Sequence, residues 1–425
     1  MPYRSIIDRL LHADIGQLVR GLAAYGGAEV ITRIVRIGTI VVIARQVSPA
    51  VMGAAALALS LFELIRVLAN AGIGQRIIAA DAQDLDATCN QASRLFWLWC
   101  GGIALVQLGV AAVLFGYFAM ADIALMLVVL SGVYLVMPGG LVPVFLLMRE
   151  GRMAATARIA ATQTLADHLL TFVLVLIWPS AWAIVLPKLL TSPIWLGMAR
   201  RARQWQPNPA AGYMPVRYFR EFGAGVLVAE LVNAGRLQLD KLIVGAVFGA
   251  KALGIYYFAF NAGLGITTSF VSALGTVLFP YICGGKDDAA RLLRCRQGML
   301  LALGVFLPVL AAQIGLAHIY VPVIFGEQWA QAAPLVSILG LGAVPIVLAT
   351  VATAWLRVEG RTGIDAAVST AASTAALAGL ALAASFGLTA AAGGYVFGLA
   401  IVLIPMSIYV LNRVFVSFPL QEKMA

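Results

Sequence analysis

The chain has 425 residues, of which 62% are hydrophobic and 11% charged, with a mean hydropathy of +0.94. A water-soluble domain of this size has too small an interior to hide so much apolar surface, so a soluble globular protein is excluded and a polytopic membrane protein is expected. In so apolar a chain the net charge of +10 is expected to mark positively charged cytoplasmic loops beside a lipid bilayer, and nucleic acid is not expected as a partner.

Residues 1–20 place Ile6, Ile7, Leu10, Leu11 and Leu18 at helical spacing among Arg4, Asp8, Arg9 and Asp14. This predicts an amphipathic helix lying on the cytoplasmic face rather than a cleavable signal peptide. Apolar stretches long enough to span then follow at 21–45, 51–75, 95–118, 123–147, 155–178 and 181–199. Six more follow at 222–248, 252–281, 297–322, 332–356, 363–386 and 389–412. Pro49, Gly116, Pro179, Gly249, Gly326 and Gly387 punctuate their boundaries. With the N-terminus inside, and with Arg45 and Arg158 at span ends counted with the adjoining loops, the cytoplasmic segments hold 21 Lys/Arg and the opposite segments only Arg45 and Lys251, which supports an even span number and two cytoplasmic termini.

The longest interior polar segment, 200–221, divides the chain into six spans plus six. The expected organisation is an N-terminal bundle at 21–199, a cytoplasmic linker at 200–221, a C-terminal bundle at 222–412 and a cytoplasmic tail at 413–425. Both halves begin inside, so a repeat between them is parallel. A faint one is visible: "QVSPAVMGAAALALSLFEL" (46–64) and "VFGAKALGIYYFAFNAGLG" (247–265) each carry a short turn and then Gly53 or Gly254 leading into a helix.

The four cysteines form no CxxC or Cys/His pattern, and the three histidines stand far apart. No metal site or cofactor is expected. The aromatic groups Phe96–Trp97–Trp99 and Tyr256–Tyr257 fall near span ends and read as an interfacial belt.

Charges inside the spans are the distinctive feature. At 100° per residue, Arg33 lies about 40° and Arg36 about −20° from Glu29, all on one narrow face. Glu63, Arg66 and Asn70 share a face of the second span; Glu230, Asn233, Arg236, Asp240 and Lys241 cluster on one side of the seventh. Asp167, His168 and Lys188 add to these. Each charge costs roughly 2.5–3.5 kcal/mol if it faces lipid at mid-membrane, so shared faces point inward, toward each other or water. Away from the span-end residues Arg45, Arg158 and Asp365, six basic and five acidic residues lie within spans, so one reading is structural, with ion pairs such as Glu29–Arg33 and Glu63–Arg66 holding helices together. The functional reading is a hydrated cavity in which the arginine forks meet phosphate oxygens. Tyr257 and Asn261, at i,i+4, are candidates for touching sugar, and Asp167 with His168 for coupling to a proton or sodium ion.

"RQVSPAVMGAAALALSLFELIRVLANAGIGQRII" (45–78) resembles the opening of polysaccharide and oligosaccharide-lipid flippases, within the multidrug/oligosaccharidyl-lipid/polysaccharide exporter superfamily. "LQLDKLIVGAVFGAKALGIYYFAFNAG" (237–263), "LFP" (278–280) and "VIFGEQWAQAAPLVSILGL" (323–341) are similar to elements of their second half. The resemblance implies an all-α integral membrane protein with about twelve transmembrane helices in two six-helix bundles, MATE-like and V-shaped. It implies alternating access for a polyprenyl-pyrophosphate-linked glycan in O-antigen, capsule or exopolysaccharide biosynthesis at the cell inner membrane. A polysaccharide polymerase and chain-length machinery would be further partners. By helix and depth, Arg33, Arg36 and Arg66 match the arginines that serve the family's central cavity.

Three other protein classes make demands that can be checked against the sequence. A major-facilitator transporter would carry a Gly-x-x-x-Asp-(Arg/Lys) motif where this chain has "GIGQRIIAADAQDLD" (72–86). A cation-coupled drug antiporter of the same superfamily would depend on an intramembrane acid such as Asp167 or Asp240. A glycan polymerase or glycosyltransferase needs a large outside loop with catalytic groups, and the short outside loops offer only Arg45, Asp122, Lys251 and Glu327.

Overall fold

The computed structural model describes residues 35–69 and 71–416, and among them the regular structure is helical. Nine helices there are long and apolar enough to cross a membrane, and ten if the pair Ala121–Val136 and Pro138–Arg149, bent by 52°, is one span. The bend has a local cause: Gly132 loosens the helix, and Pro138 and Pro143 remove backbone donors just beyond it. The expected amphipathic helix at 1–20 and most of the first expected span lie outside the described residues, which pick up a helix at 35–46.

Helix boundaries follow local chemistry. Pro49 opens Pro49–Arg66 at a position where its missing N–H is harmless, and the Ser48 side chain caps Val51 N at 3.4 Å. Ser180 and Asp287 cap Ala181–Val185 and Asp288–Gly315 in the same way. The helical run Val216–Phe260 breaks at Gly249 (φ 80°, ψ 178°), a conformation open to glycine without strain. A turn of π-helix at Asn261–Gly265 and the helix Ile266–Cys283 follow. Among the described residues of 216–283, Leu237–Gly265 has the length and hydropathy of a span.

The chain forms two compact units, one within Thr32–Gly254 and the other from Ile255 onward. The first has a core of Phe62, Ile77, Phe96, Leu127, Leu130 and Tyr134. A buried amide in it is satisfied: Gln107 Nε2 donates to Leu127 O at 2.7 Å, and Gln107 Oε1 accepts from Tyr134 at 3.1 Å. Part of the expected linker docks on this unit. Asn90 donates to Asn208 O and Gly212 O at 2.7 and 2.9 Å, and Arg94 lies 3.5 Å over the Tyr213 ring. In the second unit Phe258 packs against Trp329, centroids 4.4 Å apart, and against Phe325.

The expected aromatic belt is corrected in part. Trp97 and Trp99 are exposed, whereas Phe96 and Tyr256 are core residues, 2% and 0% exposed. Their place near a span end left open which way each ring turned; Phe96 turns inward to stack on Phe145.

Candidate functional site

Within the first unit, helical segments line a partly open cavity of about 270 Å³. Pro49–Arg66 contributes Phe62, Glu63 and Arg66, and Met153–Ile177 contributes Gln163, Thr164 and Asp167. Each trio has the spacing i, i+1, i+4 and so occupies one helix face. A third stripe, Lys188, Thr191, Ser192 and Trp195, runs at i, i+3, i+4, i+7 along Pro187–Leu190 and Ser192–Ala202. Val133 and Met137 close the apolar side.

The charges are paired. Arg66 donates through Nε and Nη2 to Glu63 Oε2 at 2.9 and 2.7 Å. Lys188 Nζ donates to Asp167 Oδ2 at 2.8 Å, joining residues 21 apart in the chain. Asp167 is 7% exposed, and its Oδ1 has no hydrogen-bond partner among the described residues. The sequence offered Asp167 no basic partner at helical spacing; the partner comes from the next helix. The hydroxyls of Thr191 and Ser192 donate to Pro187 O and Leu189 O, which leaves their oxygens able to accept.

Of the residues singled out from sequence, the cavity gathers Glu63, Arg66, Asp167 and Lys188. Glu29, Arg33 and Asn70 lie outside the described residues, and for Asn233 and Arg236 only the backbone belongs to the description. Arg36 is half-buried on the helix 35–46, one turn before Thr39, whose hydroxyl donates to His168 O at 3.2 Å. That bond ties this helix to Met153–Ile177 beside Asp167. His168 itself is half-buried and does not line the cavity. Asp240 and Lys241 form a separate buried pair at 3.1 Å, with Lys241 also donating to Leu237 O. Tyr257 and Asn261 belong to the second unit, where Asn261 Nδ2 donates to Tyr257 O.

Gln163, Thr164, Thr191, Ser192 and Trp195 were not singled out from sequence. The polar stripe at i, i+3, i+4, i+7 through an otherwise apolar span was the available signal. Among the described residues no group of three or more His, Cys, Asp or Glu side chains has a metal-binding arrangement.

The profile of a family described as "Polysaccharide biosynthesis protein" matches residues 42–334. The teichuronic acid biosynthesis protein TuaB of Bacillus subtilis is 25% identical over 286 residues, 65% of this chain and 58% of its own length. The lipopolysaccharide biosynthesis protein WzxC of Escherichia coli is 25% identical over 305 residues, 70% of this chain and 61% of its own. The chain thus spans about three-fifths of the length of these relatives. In fold it is similar to the lipid II flippase MurJ in an inward closed conformation: TM-score 0.73, 11% identity, 92% of this chain and 87% of that one. It is also similar to an inward-facing multidrug resistance MATE family transporter: TM-score 0.67, 14% identity, 91% of this chain and 95% of that one.

Proposed function

The chain belongs to the polysaccharide biosynthesis protein family, and from that premise we propose that it is a transporter that flips a polyprenyl-pyrophosphate-linked glycan across the cytoplasmic membrane by alternating access. Twelve spans in two six-helix bundles, 21–199 and 222–412, with both termini cytoplasmic, are part of this reading. So are the surface-helix role of 1–20, the linker at 200–221 and the tail at 413–425. A polymerase and chain-length machinery would receive the glycan on the far side.

The observation that carries the reading beyond family membership is the cavity. Four charged side chains sit in segments otherwise apolar enough to span, and lipid would penalise each of them. A polar cargo that must cross while its lipid tail stays in the bilayer needs such a lining. Arg33 and Arg36, on one helix face, are the residues proposed for the pyrophosphate, because a planar guanidinium matches phosphate oxygens in a way that lysine does not. Glycan export is measured in a strain lacking the protein, complemented with variants whose membrane abundance is also measured. Loss of export by Arg33→Gln and Arg36→Gln, with partial activity for Arg36→Lys, is expected. Full export by both glutamine variants at normal abundance would remove the pyrophosphate role.

The unpartnered Asp167 Oδ1 favours one competing reading, a cation-coupled antiporter. It requires Asp167→Asn to abolish transport while the arginine variants retain it, the reverse of the pattern expected here.

A further inference from the structure

The cavity lining is electrically self-compensated. Among the described residues it carries two acids and two bases, joined as Glu63–Arg66 and Asp167–Lys188. A pyrophosphate would bring negative charge that these pairs do not offset, and a bare cation would meet the Lys188 ammonium already seated on the carboxylate. A lipid tail would leave the polar stripes without partners.

A sugar ring fits each of these features. Its hydroxyls donate and accept, and the paired ions keep spare capacity for both. Arg66 uses only Glu63 Oε2, so Oε1 stays available among the described residues, as does the amide of Gln163. The volume of about 270 Å³ lies just below the usual range of small-molecule pockets, about 300–1,000 Å³, which suits a single sugar ring.

Trp195 supplies an apolar platform, and the fold has made a seat for it. A Cβ on Gly140 would stand 2.5 Å from Trp195 Cζ3, so the six-membered ring rests where any other residue would place a side chain. The indole is half-buried where it lines the cavity, and its Nε1 donates to no described residue.

We infer that this cavity is a monosaccharide subsite that takes one sugar of the lipid-linked glycan, stacked on Trp195 and hydrogen-bonded by Gln163, Glu63 and the Asp167–Lys188 pair. The assignment rests on the flippase reading above and divides the labour within it. The phosphates are held by arginines elsewhere, and one sugar is read here, inside the first unit.

The full chain in lipid nanodiscs is tested for equilibrium binding of farnesyl pyrophosphate and of its glucose, galactose and N-acetylglucosamine conjugates. At least one conjugate is expected to bind about tenfold tighter than the sugar-free probe. Trp195→Ala and Gln163→Leu should remove that increment and leave the sugar-free affinity unchanged. Trp195→Phe should keep part of it. Gly140→Ala, which displaces the ring without deleting it, should behave like Trp195→Ala. Melting temperature and monodispersity are measured for every variant, and Gln163→Leu, at a half-buried position, keeps the test open if Trp195→Ala does not fold. Equal affinity of all probes for the wild type, or an increment intact in both Trp195→Ala and Gln163→Leu, overturns the subsite and leaves the flippase reading standing. A wild type that binds none of the probes overturns both.

Discussion

Asp167 and Lys188 illustrate why single charges in a spanning helix are informative. The carboxylate is nearly buried, its side chain 10% exposed, and the ammonium side chain is 37% exposed at 2.8 Å. Deleting one partner leaves the other's charge without compensation, whereas deleting both removes the problem along with the pair. Lys188→Met alone is therefore expected to cost about 1–3 kcal/mol of stability, read as a lower melting temperature and lower membrane abundance. The double variant Asp167→Asn/Lys188→Met should recover much of that loss. If Lys188→Met melts like the wild type, the pair contributes nothing to the fold and the cavity's charge balance has to be explained otherwise. Asp167→Asn should still support more export than Arg36→Gln, because the carboxylate is assigned to the sugar and the lysine rather than to the lipid-linked phosphates.

At the scale of elements, glycine sets how closely helices approach. A Cβ on Gly53 would stand 1.7 Å from Ala250 O, and one on Gly254 would stand 1.8 Å from Pro49 O. Pro49–Arg66 and the segment just after the Gly249 break thus touch backbone to backbone, through the two glycines that occupy matching places in the sequence repeat. The same device recurs between Thr362–Ala383 and Leu388–Val416, where Gly379 and Gly394 face each other's carbonyls and Gly398 faces Ala375 O. Gly53→Ala and Gly254→Ala are each expected to destabilise by about 1–3 kcal/mol, the usual cost of overpacking a tight contact. Gly109→Ala, in the long helix Leu85–Gly116 with nothing within 4 Å of its Cβ position, should be neutral or stabilise by about 0.5–1 kcal/mol through helix propensity. Thermal unfolding of the three purified variants is the measurement. Gly53→Ala and Gly109→Ala melting alike would mean that the close approach is not maintained in the membrane.

At the scale of the whole molecule, the proposed topology follows from the uneven distribution of lysine and arginine. Cationic loops are retained on the cytoplasmic side, and counting them fixes orientation better than counting spans does. Reporter fusions at Gly284 and Gly326 are expected to report cytoplasm and outside respectively. They bracket Asp288–Gly315, whose basic start contributes Arg291, Arg294 and Arg296. The same side for both fusions would break the six-plus-six arrangement and, with it, the assignment of the two glycan-handling sites to spanning helices.

What could be read from the sequence was what a helix decides locally. Apolar runs separated by proline and glycine gave most helix positions, because spanning length and φ preference belong to the residues themselves. The i,i+3 spacing gave Glu63–Arg66, because both ends of that pair lie on one helix and the period brings them together. The pairing of Asp167 with Lys188, the seating of Trp195 on Gly140 and the Gly53–Gly254 crossing were not legible. Each depends on which face of one helix meets which face of another, and the helical period leaves that choice open. Phe96 and Tyr256 failed as belt residues for the same reason: near a span end an aromatic ring can turn to the interface or to the core, and packing against neighbouring helices decides which.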